Sequence, residues 1–166
     1  GWGYWVAERA ARVRSVLGLG RRWRVALVGA GKIGAALLGY RDFRRQGFDI
    51  EAVFDVDPRK VGQRWNGVVV RPVAELEEVL RREQMDIAII AVPAEAAQDV
   101  VDRVVRAGVR GILNFAPTKL RVPPEVALKN VNMVVELEGL SYALSSAGRS
   151  WRARAGGASG QGGEGV

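Results

Sequence analysis

A chain of 166 residues, 48% of them hydrophobic, is long enough for one compact domain with a substantial core. It has no cysteine and no histidine, which excludes disulfides and thiolate chemistry and removes the commonest metal ligand and general base. With no signal-peptide pattern and no apolar run of about 18 residues, a soluble cytoplasmic protein without a membrane partner is expected. The net charge of +7 sits at the ends: residues 25–148 balance 16 basic against 16 acidic side chains. Basic ends on a neutral core suit nucleic acid or an acidic neighbour. With 21 Arg to 4 Lys, an arginine-biased solvated surface explains the tail equally well.

Val6, Ala10, Val13 and Leu17 recur at helical spacing, with Gly18 as the stop, so a helix precedes the first strand. Trp2, Trp5 and Trp23 nearby suggest a surface buried against another domain or subunit. Arg24–Val28 is a short apolar strand that runs into Gly29-Ala30-Gly31-Lys32-Ile33-Gly34, and Ala35–Leu38 after it is helix-forming. A glycine turn between strand and helix holds a dinucleotide pyrophosphate on free backbone N–H groups. Gly29 allows the tight turn, Gly31 lets the backbone approach the phosphates, and Gly34 lets helix and strand pack closely. Lys32 is placed to meet phosphate or to be a plain exposed lysine.

Arg41–Gly47 is polar and reads as a loop, and Asp49–Asp57 as a second buried strand with Asp55 at its C-terminal end. A carboxylate there accepts hydrogen bonds from the adenosine ribose and repels a 2′-phosphate, favouring NAD over NADP; Arg59 and Lys60 nearby pull the other way. Pro58–Gly62 suggests a helical turn, Val68–Val70 a strand, and Ala74–Glu83 an amphipathic helix with Leu76, Val79 and Leu80 inward. Asp86–Val92 is a continuous apolar run, as in a strand covered on both faces. Pro93 ends it, Ala94–Ala107 forms a helix closed by Gly108, and Gly111–Ala116 is a strand broken by Pro117. Val131–Val135 reads as the last strand, Glu136–Arg149 as a C-terminal helix, and Gly156–Val166 as a flexible low-complexity tail. Alternating strands and helices predict an α/β, Rossmann-like, doubly wound, mainly parallel sheet. Its ligand crevice belongs at the C-terminal strand ends, which carry Gly29, Asp55, Val92-Pro93 and Asn114-Phe115. The expected division is a linker helix segment 1–23, a nucleotide-binding domain 24–148 that includes the C-terminal helix, and a tail 149–166.

These segments resemble the NAD(H)-binding domain of the redox-sensing transcriptional repressors of the Rex family. The likeness is carried by Gly3-Tyr4, Leu17-Gly18-Leu19, Val28–Gly34, Phe54-Asp55-Val56-Asp57-Pro58 with Lys60-x-Gly62, Val92-Pro93 with Ala97-Gln98, Ala107–Pro117 with its Asn-Phe-Ala-Pro end, and the leucine-rich end near Glu136–Leu144. It implies a non-enzymatic sensor of NADH and NAD⁺, with no catalytic residue and no metal. By resemblance, Gly29, Ala30, Gly31, Lys32, Ile33 and Gly34 hold the pyrophosphate and Asp55 the adenosine ribose. Val92, Pro93, Asn114 and Phe115 border the nicotinamide, and Tyr40 matches a family tyrosine near it. The same likeness implies a homodimer through a swapped C-terminal helix, bound to operator DNA through an N-terminal winged-helix domain. No helix-turn-helix pattern precedes the glycine turn, and the chain begins at Gly1, where that domain would hand over; a fragment or processed product is expected. The position of a family aspartate that couples the domains falls on Asn132, which forms no such ion pair.

Packing alternatives stand beside these roles: Tyr40 against Phe43 or Phe48, Asn114 and Phe115 as strand-end packing, Gln98 as a capping or partner-facing residue, Asn132 as a turn or strand-edge residue. Three other functional readings remain: a Rex-like paralogue acting on other proteins, a CoA- or nucleotide-binding module without DNA function, and an NAD-dependent dehydrogenase. The last needs a substrate domain and an acid/base group, and the chain offers neither spare length nor a histidine.

Overall fold

The computed structural model describes residues 21–156, so the expected N-terminal helix and the tail beyond Gly156 lie outside the described residues. The described chain divides between Val131 and Asn132 into two units.

The first unit is built on strands β1 (Trp23–Val28), β2 (Phe48–Asp55), β3 (Arg64–Trp65), β4 (Val68–Pro72), β5 (Ile87–Ile90), β6 (Gly111–Asn114) and β7 (Ala127–Asn130), in the spatial order β3-β4-β2-β1-β5-β6-β7. Every neighbouring pair is parallel except β3 with β4. β1 therefore has its successor β2 on one side and the later β5 on the other, and the sheet order reverses beside it. In open α/β sheets ligands bind at such a reversal, outside the C-terminal strand ends. Val25–Val28 and Ala88–Ile90 are buried on both faces, which is why these central strands read as unbroken apolar runs.

Helices α1 (Lys32–Leu38) and α2 (Asp42–Arg45) connect β1 to β2, α3 (Leu76–Arg82) leads to β5, and α4 (Ala94–Arg106) joins β5 to β6. Ala97, Val100, Val101 and Val104 of α4, with Leu76, Val79 and Leu80 of α3, pack on one face of the sheet against Val28, Phe54 and Ile90. Full burial of one such aliphatic side chain is worth about 1.5–3 kcal/mol, so this face is the main source of cohesion. Gly108 at φ +95° closes α4 in the left-handed conformation that favours glycine. The other face carries Leu37 and Leu38 of α1 on Val25, Leu27 and Val53, and leaves Ile87, Leu113 and Phe115 only partly buried.

Four elements differ from the sequence reading. Arg41–Gly47 contains the short helix α2 rather than an open loop. A hairpin joins β3 to β4 through Asn66 (φ +46°) and Gly67 (φ +83°); Asn-Gly is the strongest short signal for a turn with two left-handed residues, and it was available in the sequence. The last strand is Ala127–Asn130, not Val131–Val135. Its residues pair with β6 at the sheet edge and are mostly exposed, so they lack the apolar alternation that reveals an inner strand. The β-branched run after it opens a helix instead.

That helix, α5 (Met133–Gly156), forms the second unit and extends beyond the expected 136–149 at both ends. Asn132 accepts the Glu136 N–H at 3.1 Å through its carbonyl, so it stands at the helix N-terminus, a position asparagine favours, rather than in a strand. Met133, Leu137, Leu140 and Leu144 follow a four-three-four spacing and are 56–71% exposed. No helix among the described residues is long and apolar enough to cross a membrane.

Candidate functional site

The glycine turn lies where β1 ends between β2 and β5. Gly29 N–H donates to the Phe54 carbonyl at 2.8 Å, Ala91 N–H to Val28 at 2.8 Å, and Phe115 N–H to Ile90 at 2.8 Å. These bonds bring the C-terminal ends of β2, β1, β5 and β6 to one edge, with Gly29, Asp55, Ala91-Val92 and Phe115 along it. The three glycines are required for different reasons. Gly29 has φ +107°, and a Cβ there would lie 2.3 Å from the Ala91 carbonyl oxygen; a Cβ on Gly34 would lie 2.1 Å from the Gly29 oxygen. Both are excluded by the protein's own backbone. Gly31 has φ −81°, which any residue adopts, and a Cβ there would meet nothing within 4 Å among the described residues. The fold does not need glycine at that position. The absent side chain leaves the backbone of the turn open to close approach.

Asp55 is the last residue of β2 and is half-buried. One carboxylate oxygen accepts the Ala30 N–H and the other the Asp57 N–H, each at 2.7 Å. The acid is thus fixed rigidly beside the turn, with lone pairs left for ribose hydroxyls. Asp57 is engaged by Arg59, whose side-chain hydrogen bond at 3.2 Å, with its backbone N–H, holds the Asp57 carboxyl below the usual carboxylate range. Lys60 reaches back to the Ala30 carbonyl at 2.9 Å. Lys32 and Ile33 open α1 as exposed residues, and Ala30 between the first two glycines is 1% exposed. Among the described residues no group of His, Cys, Asp and Glu has the arrangement of a metal site.

Val92 and Phe115 are half-buried and Pro93 is exposed at the same edge. Asn114 faces the other way. It is 1% exposed, and its amide donates to Ala116 at 3.1 Å and to Asn130 Oδ1 at 3.0 Å while its oxygen accepts the Ala116 N–H at 2.9 Å. Its side chain braces the turn after β6 and the end of β7. Tyr40 lies beyond the far end of α1, about 12 Å along the helix axis from the glycine turn. Its ring packs edge-on against Phe43 at 4.9 Å and its hydroxyl donates to Asp42 at 3.3 Å. There it lines a separate open cleft of about 1160 Å³, shared with Arg22, Phe43, Phe48 and Asn66, near the N-terminal strand ends. The structure therefore gathers the glycine turn, Asp55, Val92, Pro93 and Phe115, and separates Tyr40 and the Asn114 side chain from them. Gln98 does not cap its helix: half-buried, it donates to the Arg121 carbonyl at 2.9 Å and accepts the Arg121 N–H at 2.8 Å, tying the β6–β7 connection to α4.

Residues 21–118 match the family model described as the CoA binding domain. The chain is 48% identical over 146 residues to the redox-sensing transcriptional repressor Rex of Rhodopirellula baltica, covering 88% of this chain and 62% of the relative. It is 48% identical over 142 residues to the Rex repressor of Desulfitobacterium hafniense, covering 86% of this chain and 68% of that one. The chain belongs to the Rex family. It spans between 62% and 68% of the length of these relatives. Among solved structures, the Rex-family repressor RSP in complex with β-NADH matches with a TM-score of 0.82 at 35% identity, over 89% of this chain and 71% of that one. RSP with β-NAD⁺ and operator DNA matches at 0.82 and 34%, over 90% and 69%. The Rossmann-like, mainly parallel architecture is that of these Rex-family structures.

Proposed function

We propose that this Rex-family chain is the NADH-sensing part of a transcriptional repressor, and that it binds the nicotinamide nucleotide as a signal rather than a substrate. The observation that carries this is the open space at Gly31, which the fold does not need, beside a carboxylate fixed on the same turn. Gly29–Gly34 would hold the pyrophosphate and Asp55 the adenosine ribose, with Val92, Pro93 and Phe115 bordering the nicotinamide. Asn114 would serve by shaping that border through the turn it braces. Tyr40 belongs in this scheme only if a second subunit brings its cleft to the crevice. The nicotinamide supplies a ring whose redox state differs in charge and shape; the chain needs only to hold the two forms with different affinity.

Residues 24–148 form the sensing domain in this reading, and α5 supplies a homodimer contact through its exposed Met133, Leu137, Leu140 and Leu144 stripe. With a winged-helix domain joined before Gly1, binding of NADH lowers affinity for operator DNA. Such coupling requires NADH to bind one of two states more tightly than the other. Asn132 carries no charge, so an ion pair at that position takes no part in it. The relatives are repressors, and the RSP complexes contain NADH, NAD⁺ and operator DNA. The proposed place of action is the cytoplasm.

Titration of tryptophan fluorescence tests the ligand. NADH is expected to quench with the highest affinity, NAD⁺ lower and NADPH lower still, because Asp55 repels a 2′-phosphate. The match to the CoA binding domain model favours one second reading, a CoA site on the same fold. CoA displacing NADH at equal or lower concentration would establish it.

A further inference from the structure

We infer that Lys60 is a positioning residue of the pyrophosphate seat, orienting the Gly31 N–H toward the nucleotide and adding a positive charge beside it. The inference rests on the nucleotide reading above. Ala30, 1% exposed, is gripped on both of its peptide groups, by the side chain that ends β2 and by one that follows it. Asp55 takes its N–H at 2.7 Å, and the Lys60 ammonium donates to its carbonyl at 2.9 Å. That carbonyl belongs to the same peptide unit as the Gly31 N–H. In a planar trans peptide the two point in opposite directions. A Lys60 that holds the carbonyl therefore turns the Gly31 N–H away from itself, at the residue whose Cβ position is open.

The lysine is delivered by a well-fixed segment. Lys60 N–H and Val61 N–H both donate to the Asp57 carbonyl, at 3.0 and 3.1 Å, and Gly62 N–H donates to Val70 at 2.8 Å. Lys60 is half-buried, whereas Lys32, inside the glycine turn itself, is exposed. Of these two lysines, Lys60 is the one anchored on the turn. A fixed ammonium costs less reorganisation on binding an anion than a mobile one. Asp55 and Lys60 then divide the nucleotide between them: the acid reads the ribose, and the base prepares the turn for the phosphates.

The test compares wild type with Lys60→Met, which keeps the apolar stem, and Lys60→Arg, which keeps the charge. NADH, ADP-ribose and adenosine are titrated at low and high salt, and each variant's thermal midpoint is measured. Loss of a hydrogen bond from a charged group predicts about tenfold weaker binding of NADH and ADP-ribose to Lys60→Met. Adenosine, which has no phosphate, is expected to bind unchanged, the salt dependence to flatten, and Lys60→Arg to recover most of the loss. Should Lys60→Met not fold, Lys60→Gln serves the same comparison. Lys60→Met that binds NADH like wild type, or loses adenosine as much as NADH, overturns the inference alone. A wild-type chain that binds none of the three overturns the nucleotide reading and this inference with it.

Discussion

A methyl group at Gly31 would meet nothing within 4 Å among the described residues beyond its chain neighbours, whereas one at Gly29 would lie 2.3 Å from a backbone oxygen. The two glycines should respond oppositely to alanine. Gly31→Ala is expected to leave the thermal midpoint within about 2 °C, the scale of a few tenths of a kcal/mol, and to weaken NADH at least tenfold. Gly29→Ala should lower the midpoint sharply, since a strained φ and a backbone clash act together. Equal stability loss in both variants would show that Gly31 is structural. For Asp55→Ala, calorimetry should show weaker NADH binding and a smaller preference over NADPH. Part of the loss will come from the freed Ala30 and Asp57 N–H groups. Asp55→Asn, uncharged and with one acceptor oxygen, still satisfies only one of these N–H groups, so its affinity is expected to fall between those of wild type and Asp55→Ala.

At the scale of elements, α5 stands out for an exposed apolar stripe. Met133 and Leu137 are 56% and 64% exposed, and Leu140 and Leu144 59% and 71%, all on one helical stripe. Four aliphatic side chains so exposed are a liability in water unless a second surface covers them. Leu140→Asp is expected to turn a dimer into a monomer by light scattering while leaving the fold of the sheet intact. A wild-type chain that is monomeric at high concentration would remove the stripe's proposed role. The β3–β4 hairpin is also secured locally: Asn66 donates to the Leu38 carbonyl at 3.0 Å, at the end of α1. Gly67, at φ +83°, is where a bulky residue should cost about 1 kcal/mol or more, read as a lower denaturation midpoint.

For the whole molecule, arginine–carboxylate pairs link the outer ends of strands and helices. The side-chain hydrogen bond from Arg22 holds the Asp49 carboxyl below its ordinary range, and Arg103, then Arg106, do the same for Glu77. These acids are stronger in the folded chain than in the unfolded one. Their stabilisation is complete above the ordinary carboxylate range and is lost as pH falls below about 4, through the depressed folded values. A pH series of thermal midpoints should therefore fall less steeply below about pH 4 for Glu77→Gln than for wild type, from a slightly lower start.

The legibility of this fold follows the same physics. β1, β5 and α4 announce themselves because burial on both faces or along one helical stripe forces an apolar pattern. Gly29, Gly34 and Asp55 are readable because strand, turn, helix and acid must follow in that order. β7 was not, since an edge strand mostly in water has no such pattern. The inward turn of Asn114 and the reach of Lys60 to Ala30 depend on contacts between segments 16 and 30 residues apart, which local sequence does not encode. Tyr40 enters the site by resemblance alone, and no local pattern says that the length of α1 sets it near the N-terminal strand ends.

The central claim is that the glycine turn of this chain receives NADH. Isothermal titration of the purified chain with NADH tests it most directly. The expected result is saturable binding at one site per chain, abolished or strongly weakened in Gly31→Ala. No heat of binding at millimolar NADH, or undiminished binding by Gly31→Ala, would contradict it.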